Sequence, residues 1–332
     1  MRRASPQALY FQLHCSRAHA YRIKRPENYP RLKSTSLIGS LWQNDSALIH
    51  EVNNMEVVTK FVNLFGRPKS VIIGMIHLPA LPGTPRNCLV MKDIVRLARH
   101  DAEIYKQARV DSVLVENMHD VPYLPGAQIG PEVVSAMTAA CVEVKDVFQN
   151  GPVGVQILAG ANQQALAVAI AAGLDYIRAE GYVFSHVADE GIMDACAGSL
   201  LRYRKQIGAE HIQIFTDIKK KHSSHAITSD ISVTEMSTAA EFFQSDGVIL
   251  TGTSTGAPAS IQEMKDVQQS IRLPVLIGSG VTKDNYQEYS SANGLIIGSY
   301  FKKGGNWQNP VESKRVMELM EIVRKKLENS KL

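Results

Sequence analysis

The feature that most constrains this chain is a rhythm. From about residue 71 a short run rich in Val, Ile and Leu gives way to an amphipathic or small-residue stretch, and the pair recurs along the chain. The runs are Val71–Ile76, Ser112–Glu116, Val153–Leu158, Tyr176–Glu180, Ile212–Asp217, Gly247–Leu250, Pro274–Ile277 and Gly294–Ile297. They show little polar alternation, as expected of parallel strands covered on both faces. The intervening stretches predict helices over Leu89–Ala108, Glu132–Phe148, Ala161–Ala172, Asp189–Ile207, Val233–Gln244, Ala259–Ile271, Lys283–Ser291 and Pro310–Glu328. Pro131 and Pro258 suit first helical turns, where a missing N–H costs nothing, and Gly173 suits a helix end. Eight strand–helix units predict an α/β fold, the (β/α)8 TIM barrel, whose usual size is about 250 residues. An open doubly wound sheet is the alternative, but no Gly-x-Gly-x-x-Gly follows the first run. Met55–Phe65 predicts an extra helix closing the barrel bottom, so one barrel domain is expected over 55–332.

Charge divides the chain differently. The 332 residues carry a formal +4, yet residues 1–44 hold eight basic side chains against a single acid, Glu27, and the remainder is net acidic. An acidic body argues against a nucleic-acid partner. The Arg-rich, acid-poor segment instead reads as a mitochondrial transit peptide with its linker over 1–54, delivering the barrel to the matrix. The alternatives are a disordered basic tail on a cytoplasmic protein, or translation starting at Met55. No apolar run reaches the roughly 18 residues of a membrane span. Cys15, Cys88, Cys141 and Cys196 are too sparse for a disulfide framework.

In a barrel of this kind, chemistry sits where the strands run into the loops that follow them. Those positions hold His77, Glu116, Asn117, Arg178, Glu180, Asp217, Lys221, His222, Thr251, Gly252, Ser279, Gly280, Gly298 and Ser299. The Gly-Ser turns after the seventh and eighth runs predict a phosphate site built on backbone N–H groups, although such turns are also ordinary connections. Glu116, Glu180 and Asp217 are able to hold a divalent cation, or to act as acid and base with Lys221 and His222. Each is equally at home in a structural ion pair. His222-x-x-His225 has a loose zinc-like spacing without cysteine partners.

Taken together these residues resemble the BtpA family, known from a photosystem I biogenesis factor. The resemblance is carried by Val71-Ile-Ile-Gly-Met-Ile-His77-Leu-Pro-Ala-Leu-Pro-Gly83, Val113-Leu-Val-Glu116-Asn117, Asp175-Tyr-Ile-Arg178 and Asp217 to His222. It continues through Thr251-Gly-Thr-Ser-Thr-Gly256, Gly278-Ser-Gly-Val-Thr282, Gly294-Leu-Ile-Ile-Gly298-Ser299 and Phe301-Lys-Lys-Gly-Gly305. It implies a TIM barrel with a polar mouth and does not imply a reaction. Asn293 stands where the family more often has Asp, and the basic leader lies outside the family pattern. Three functions follow as expectations. The first is an enzyme on a small phosphorylated compound, sugar-phosphate or nucleotide-like. The second is a non-catalytic assembly factor, and the third a metal-dependent nucleoside-processing hydrolase. A homo-oligomer fits any of them.

Overall fold

The structure, a computed structural model, describes residues 57–149 and 151–329. The basic leader, its cleavage and the start at Met55 lie outside the described residues. The chain opens with helix α1 over 57–65, then β1 (Val71–His77), α2 (Met91–Ala108), β2 (Ser112–Glu116), α3 (Pro131–Val147), β3 (Val153–Gln156), α4 (Asn162–Ala171) and β4 (Tyr176–Ala179). A small hairpin, β5 (His186–Ala188) with β6 (Gly191–Met193), precedes α5 (Ala197–Gln206) and β7 (Gln213–Ile218). β8 (Ser223–Ser224) joins that hairpin; α6 (Val233–Phe242), β9 (Gly247–Leu250), α7 (Ile261–Ser270), β10 (Val275–Ile277), β11 (Gly294–Ile297) and α8 (Ser313–Asn329) complete the chain. Eight strands close into a parallel barrel in the order β1-β11-β10-β9-β7-β4-β3-β2, as the rhythm predicts. No described helix is long and apolar enough to cross a membrane.

Three predicted helices differ from those observed. The first part of Asp189–Ile207 is the β5–β6 hairpin, because Gly191 at φ 115° closes a tight turn after Asp189-Glu190. Lys283–Ser291 shrinks to a 3₁₀ turn at Tyr286–Tyr289. There the Asn285 side chain accepts from Thr282 N–H and donates to Gly280 C=O, competing with helical bonding. Pro258 does not start α7; Ser260 caps it by accepting from Glu263 N–H.

Period-two alternation along the strands builds two cores. Outward residues such as Ile72, Val113 and Val155 join the helices in one apolar layer. Inward residues Ile73, Met75, Leu114, Tyr176, Phe215, Ile249, Leu276 and Ile296 fill the barrel, and Phe61 and Phe65 of α1 complete that layer from below. Phe65 meets Tyr176 edge-on at 5.5 Å, and Phe61 meets Phe215 at 6.1 Å. The bulk of Tyr176 requires glycine opposite, since a Cβ at Gly154 would stand 2.2 Å from its ring.

A fourfold clasp closes the lower rim. Asp111, Asp175, Asp246 and Asn293 precede β2, β4, β9 and β11, every second strand of the barrel, and each accepts the N–H of a residue on the barrel strand before: Ile72, Val153, Ile214 and Val275. Arg67, Lys145 and Arg204 neutralise the three carboxylates. Asn293 keeps the accepting bond and uses its amide to donate to Pro68 C=O, so the family departure preserves the clasp without a charge.

Candidate functional site

Two residues beyond each inward core position, the same strand faces reach the barrel mouth and turn polar. Met75 leads to His77, Leu114 to Glu116, Tyr176 to Arg178, Phe215 to Asp217, Leu276 to Gly278 and Ile296 to Gly298. Two adjoining cavities occupy this face. One, of about 150 Å³, is lined by His77, Glu116, Arg178, Lys221 and the turns Gly278–Thr282 and Gly298–Tyr300. The other, of about 450 Å³, shares Glu116, Arg178 and Lys221 and extends to Glu180, Asp217, His222 and Trp307.

The first cavity is built to favour an anion. The N–H groups of Gly280, Val281, Ser299 and Tyr300 meet no acceptor among the described residues, and the Ser299 hydroxyl lines the same space. Gly280 has φ +72°, and a Cβ there would lie 2.3 Å from Pro258 Cα, so the close turn demands glycine. Arg315, from the first turn of α8, adds a cation. Its Nε donates to Tyr300 C=O at 2.5 Å and its guanidinium sits 4.5 Å over the Tyr300 ring. Sequence reading omits Arg315, which no strand end or motif marks.

Across the mouth the ionisable groups fall into two kinds. Asp217, 1% exposed, receives three bonds from Arg178 at 2.9–3.2 Å. Burial pushes its carboxyl up against the pull of that guanidinium. Gly278 gives the guanidinium room, because a Cβ there would be 3.3 Å from Arg178 Nη2. Glu180 accepts from Gly160 N–H and pairs with Lys220 at 3.4 Å. These groups are structurally committed.

Glu116, Lys221 and His77 are less so. The Glu116 carboxylate pairs only with His77 among the described residues, Oε2 to Nε2 at 3.4 Å. Burial raises its carboxyl, opposed by Arg178 and Lys221. Lys221 makes no hydrogen bond or ion pair with the described residues, and burial followed by the Arg178 charge lowers its amine. His77 is held well below its ordinary value by burial and by the Lys302 charge, so its ring is neutral near pH 7. Lys219 and His222 both adopt left-handed φ, and the kinked loop sends Lys220 to Glu180 while leaving Lys221 in the mouth.

Other expected contacts are spent elsewhere. Asn117 donates to Asp120 and Leu158 C=O and accepts from Leu158 N–H, a wholly structural role. The Ser279 hydroxyl accepts from Gly252 N–H and donates to Ala257 C=O, which removes both Ser279 Oγ and Gly252 N–H as ligand donors. Thr251 Oγ1 is buried without a hydrogen-bond partner among the described residues, and Thr251 lines neither cavity. His222 sits exposed at the rim, bonded to Thr255. His225 turns away to Lys220 C=O and stacks with His186 at 5.2 Å, so the zinc-like spacing does not converge. Among the described residues no three His, Cys, Asp or Glu side chains form a metal-holding group.

Comparison with known proteins gives a consistent kinship. The sequence pattern described as the BtpA family matches residues 68–325. A Caenorhabditis elegans protein, described as uncharacterized and mitochondrial, is 52% identical over 80% of this chain and 96% of its own. An uncharacterized protein of Archaeoglobus fulgidus is 33% identical over 77% of this chain and 99% of its own. The photosystem I biogenesis protein BtpA of Synechocystis is 31% identical over 78% of this chain and 89% of its own.

Proposed function

This chain belongs to the BtpA family, and on that premise we propose that it is an enzyme acting on a small phosphorylated compound at the mouth of its barrel. The observation that carries the reading is adjacency: an anion-favouring pocket shares walls with His77, Glu116 and Lys221, of which Glu116 and Lys221 are not tied into a structural ion pair with another carboxylate or cation. The N–H groups of Gly280, Val281, Ser299 and Tyr300, with Arg315, hold the phosphate. That anchor places the rest of the substrate against His77, Glu116 and Lys221. Glu116, its carboxyl raised by burial, takes and returns a proton. Neutral His77, whose one N–H faces the Trp307 carbonyl, accepts from a substrate hydroxyl through Nε2, and Lys221 stabilises the negative charge that develops. Proton transfer of this kind serves a lyase or an isomerase.

The test is a pair of measurements. Mass spectrometry of the gently denatured protein identifies the compound that copurifies, and Glu116→Gln retains that compound while losing its turnover. Copurification of no phosphorylated compound, together with no calorimetric binding of phosphate or ribose 5-phosphate, overturns the reading. The name of the Synechocystis relative favours a second reading, a non-catalytic assembly factor. Full biological rescue by a Glu116→Gln/Lys221→Met variant would establish it over catalysis.

We also propose mitochondrial delivery, on the Arg-rich, acid-poor composition of residues 1–44 and the mitochondrial description of the Caenorhabditis elegans relative. A fluorescent fusion to residues 1–50 is expected in mitochondria. Diffuse cytosolic signal refutes it.

A further inference from the structure

A third cavity, of about 310 Å³, opens beside the anion pocket on the far side of His77, and the functional reading above leaves it unused. Its walls include His77, Arg86, Asp101, His119, Lys302 and Trp307. Trp307 is half-buried, with its ring centroid 5.1 Å from that of His119 and 6.5 Å from that of His77. Its carbonyl lies 3.4 Å from His77 Nδ1, and Trp307 also lines the cavity that holds Glu116 and Lys221. The third cavity therefore shares His77 with the anion pocket and Trp307 with the cavity that holds Asp217.

The same lining also holds a polar, buried pair. Lys302 is 1% exposed and its Nζ lies 3.4 Å from Asp101 Oδ2. That is the only bond of Nζ among the described residues, so two of its three N–H donors are unspent. Burial lowers the Lys302 amine and raises the Asp101 carboxyl. Flat aromatic groups and a donor–acceptor pair in one lining suit a planar ring with polar edges. A phosphorylated sugar alone would fill the anion pocket and leave this space empty.

We propose that the third cavity is the base-binding half of a site for a nucleoside 5′-monophosphate. The proposal rests on the phosphate reading and narrows it. The phosphate lies at Gly280, Ser299 and Arg315, and the base stacks on Trp307 with its polar edge toward Lys302 and Asp101. The ribose spans the ring of His77, which stands between the two pockets: a Cβ at Gly298 would lie 3.4 Å from that ring on the phosphate side. Its hydroxyls reach the Glu116 carboxylate. The reacting groups thus face the sugar and its bond to the base.

The chain has two tryptophans, Trp42 and Trp307, so Trp42→Phe makes Trp307 the sole indole reporter. Full-length protein carrying that change is titrated with AMP, GMP, CMP, UMP, their four nucleosides, ribose 5-phosphate and inorganic phosphate, with affinities read by calorimetry and the Trp307 signal by fluorescence. At least one nucleotide is expected to quench Trp307 emission and to bind ten-fold or more tighter than ribose 5-phosphate, as base stacking on an aromatic side chain supplies. Trp307→Leu loses that ten-fold and leaves ribose 5-phosphate unchanged. Trp307→Phe keeps most of it, and Arg315→Ala weakens both ligands alike. Circular dichroism melts confirm that each variant is folded.

Ribose 5-phosphate binding as tightly as every nucleotide, or nucleotide binding without quenching, overturns the base subsite and leaves the phosphate reading standing. Nucleosides binding as tightly as nucleotides, with no affinity for phosphate or ribose 5-phosphate, does the reverse. No binding by any of these probes overturns both.

Discussion

Replacing Arg178 by methionine, which keeps length and removes charge, tests the electrostatic frame of the mouth most directly. Asp217 is 1% exposed and Arg178 5%, and no other described residue hydrogen-bonds the Asp217 carboxylate. Arg178→Met therefore strands a buried charge, a change that costs about 3–5 kcal/mol. With a urea slope of about 3 kcal/mol per M, a loss of about 4 kcal/mol moves the unfolding midpoint down by roughly 1.3 M. The pH dependence follows from the sign of the shift. Burial already holds the folded Asp217 carboxyl above its unfolded value, and Arg178 opposes that rise. Without Arg178 it climbs further. The unfolded chain ionises freely above about pH 4, so the penalty on the folded variant is greatest near neutrality and fades as pH falls toward that value. Urea titrations at pH 7 and pH 5 should show the larger deficit at pH 7. Arg178→Met/Asp217→Leu, with no charge left to bury, should recover most of the loss. A deficit under about 1 kcal/mol at pH 7, an equal deficit at pH 5, or a double variant no better than the single would refute the reasoning.

Glu116→Gln removes a carboxyl that burial penalises in its charged form. The variant should abolish turnover and melt higher than the parent at pH 7, with the gain shrinking toward pH 4; an unchanged melting temperature counts against a strained carboxylate. Phe65→Ala empties the contact between α1 and the Tyr176–Phe215 layer, and chemical denaturation should register a loss of about 3–5 kcal/mol. Asp246→Ala frees the N–H of Ile214 and the Arg204 guanidinium. A loss of about 1–3 kcal/mol is expected, with Asp246→Asn milder because Asn293 already performs that role uncharged. Gly280→Ala places a methyl against Pro258 at a left-handed φ; calorimetry should show phosphate affinity reduced at least ten-fold, and unchanged affinity would separate the turn from the anion site.

Much of the mouth was legible along the chain because two periodicities coincide there. Strand residues alternate, and barrel strands all present their ends to one face, so His77, Glu116, Arg178 and Asp217 follow from counting two beyond an inward apolar residue. The clasp carried a readable signal as well: Asp111-Ser-Val, Asp175-Tyr-Ile, Asp246-Gly-Val and Asn293-Gly-Leu repeat before alternate strands. Arg315, Trp307 and Asp101 carried none, since they come from a loop and from helices whose place beside the mouth depends on packing, and Lys302 stood only in the Phe301–Gly305 stretch of the family resemblance. Nor does composition distinguish a free polar group from a spent one. Asn117 and Ser279 look like ligand donors until their bonds to Leu158, Asp120, Gly252 and Ala257 are counted.

The sequence by itself pointed to the closed barrel, the inward and outward faces of its strands and an extra helix over Met55–Phe65, which the structure describes from residue 57 on, because burial periodicity is local and repeats with each unit. Only the tertiary structure decided which of those mouth residues remain uncommitted. It tied Asp217 to Arg178 and Glu180 to Lys220, left Glu116 and Lys221 uncommitted, and set Trp307 beside His77. Those outcomes depend on distances between residues far apart in the chain. Burial in a shared cavity then turns those distances into the charge states on which chemistry depends.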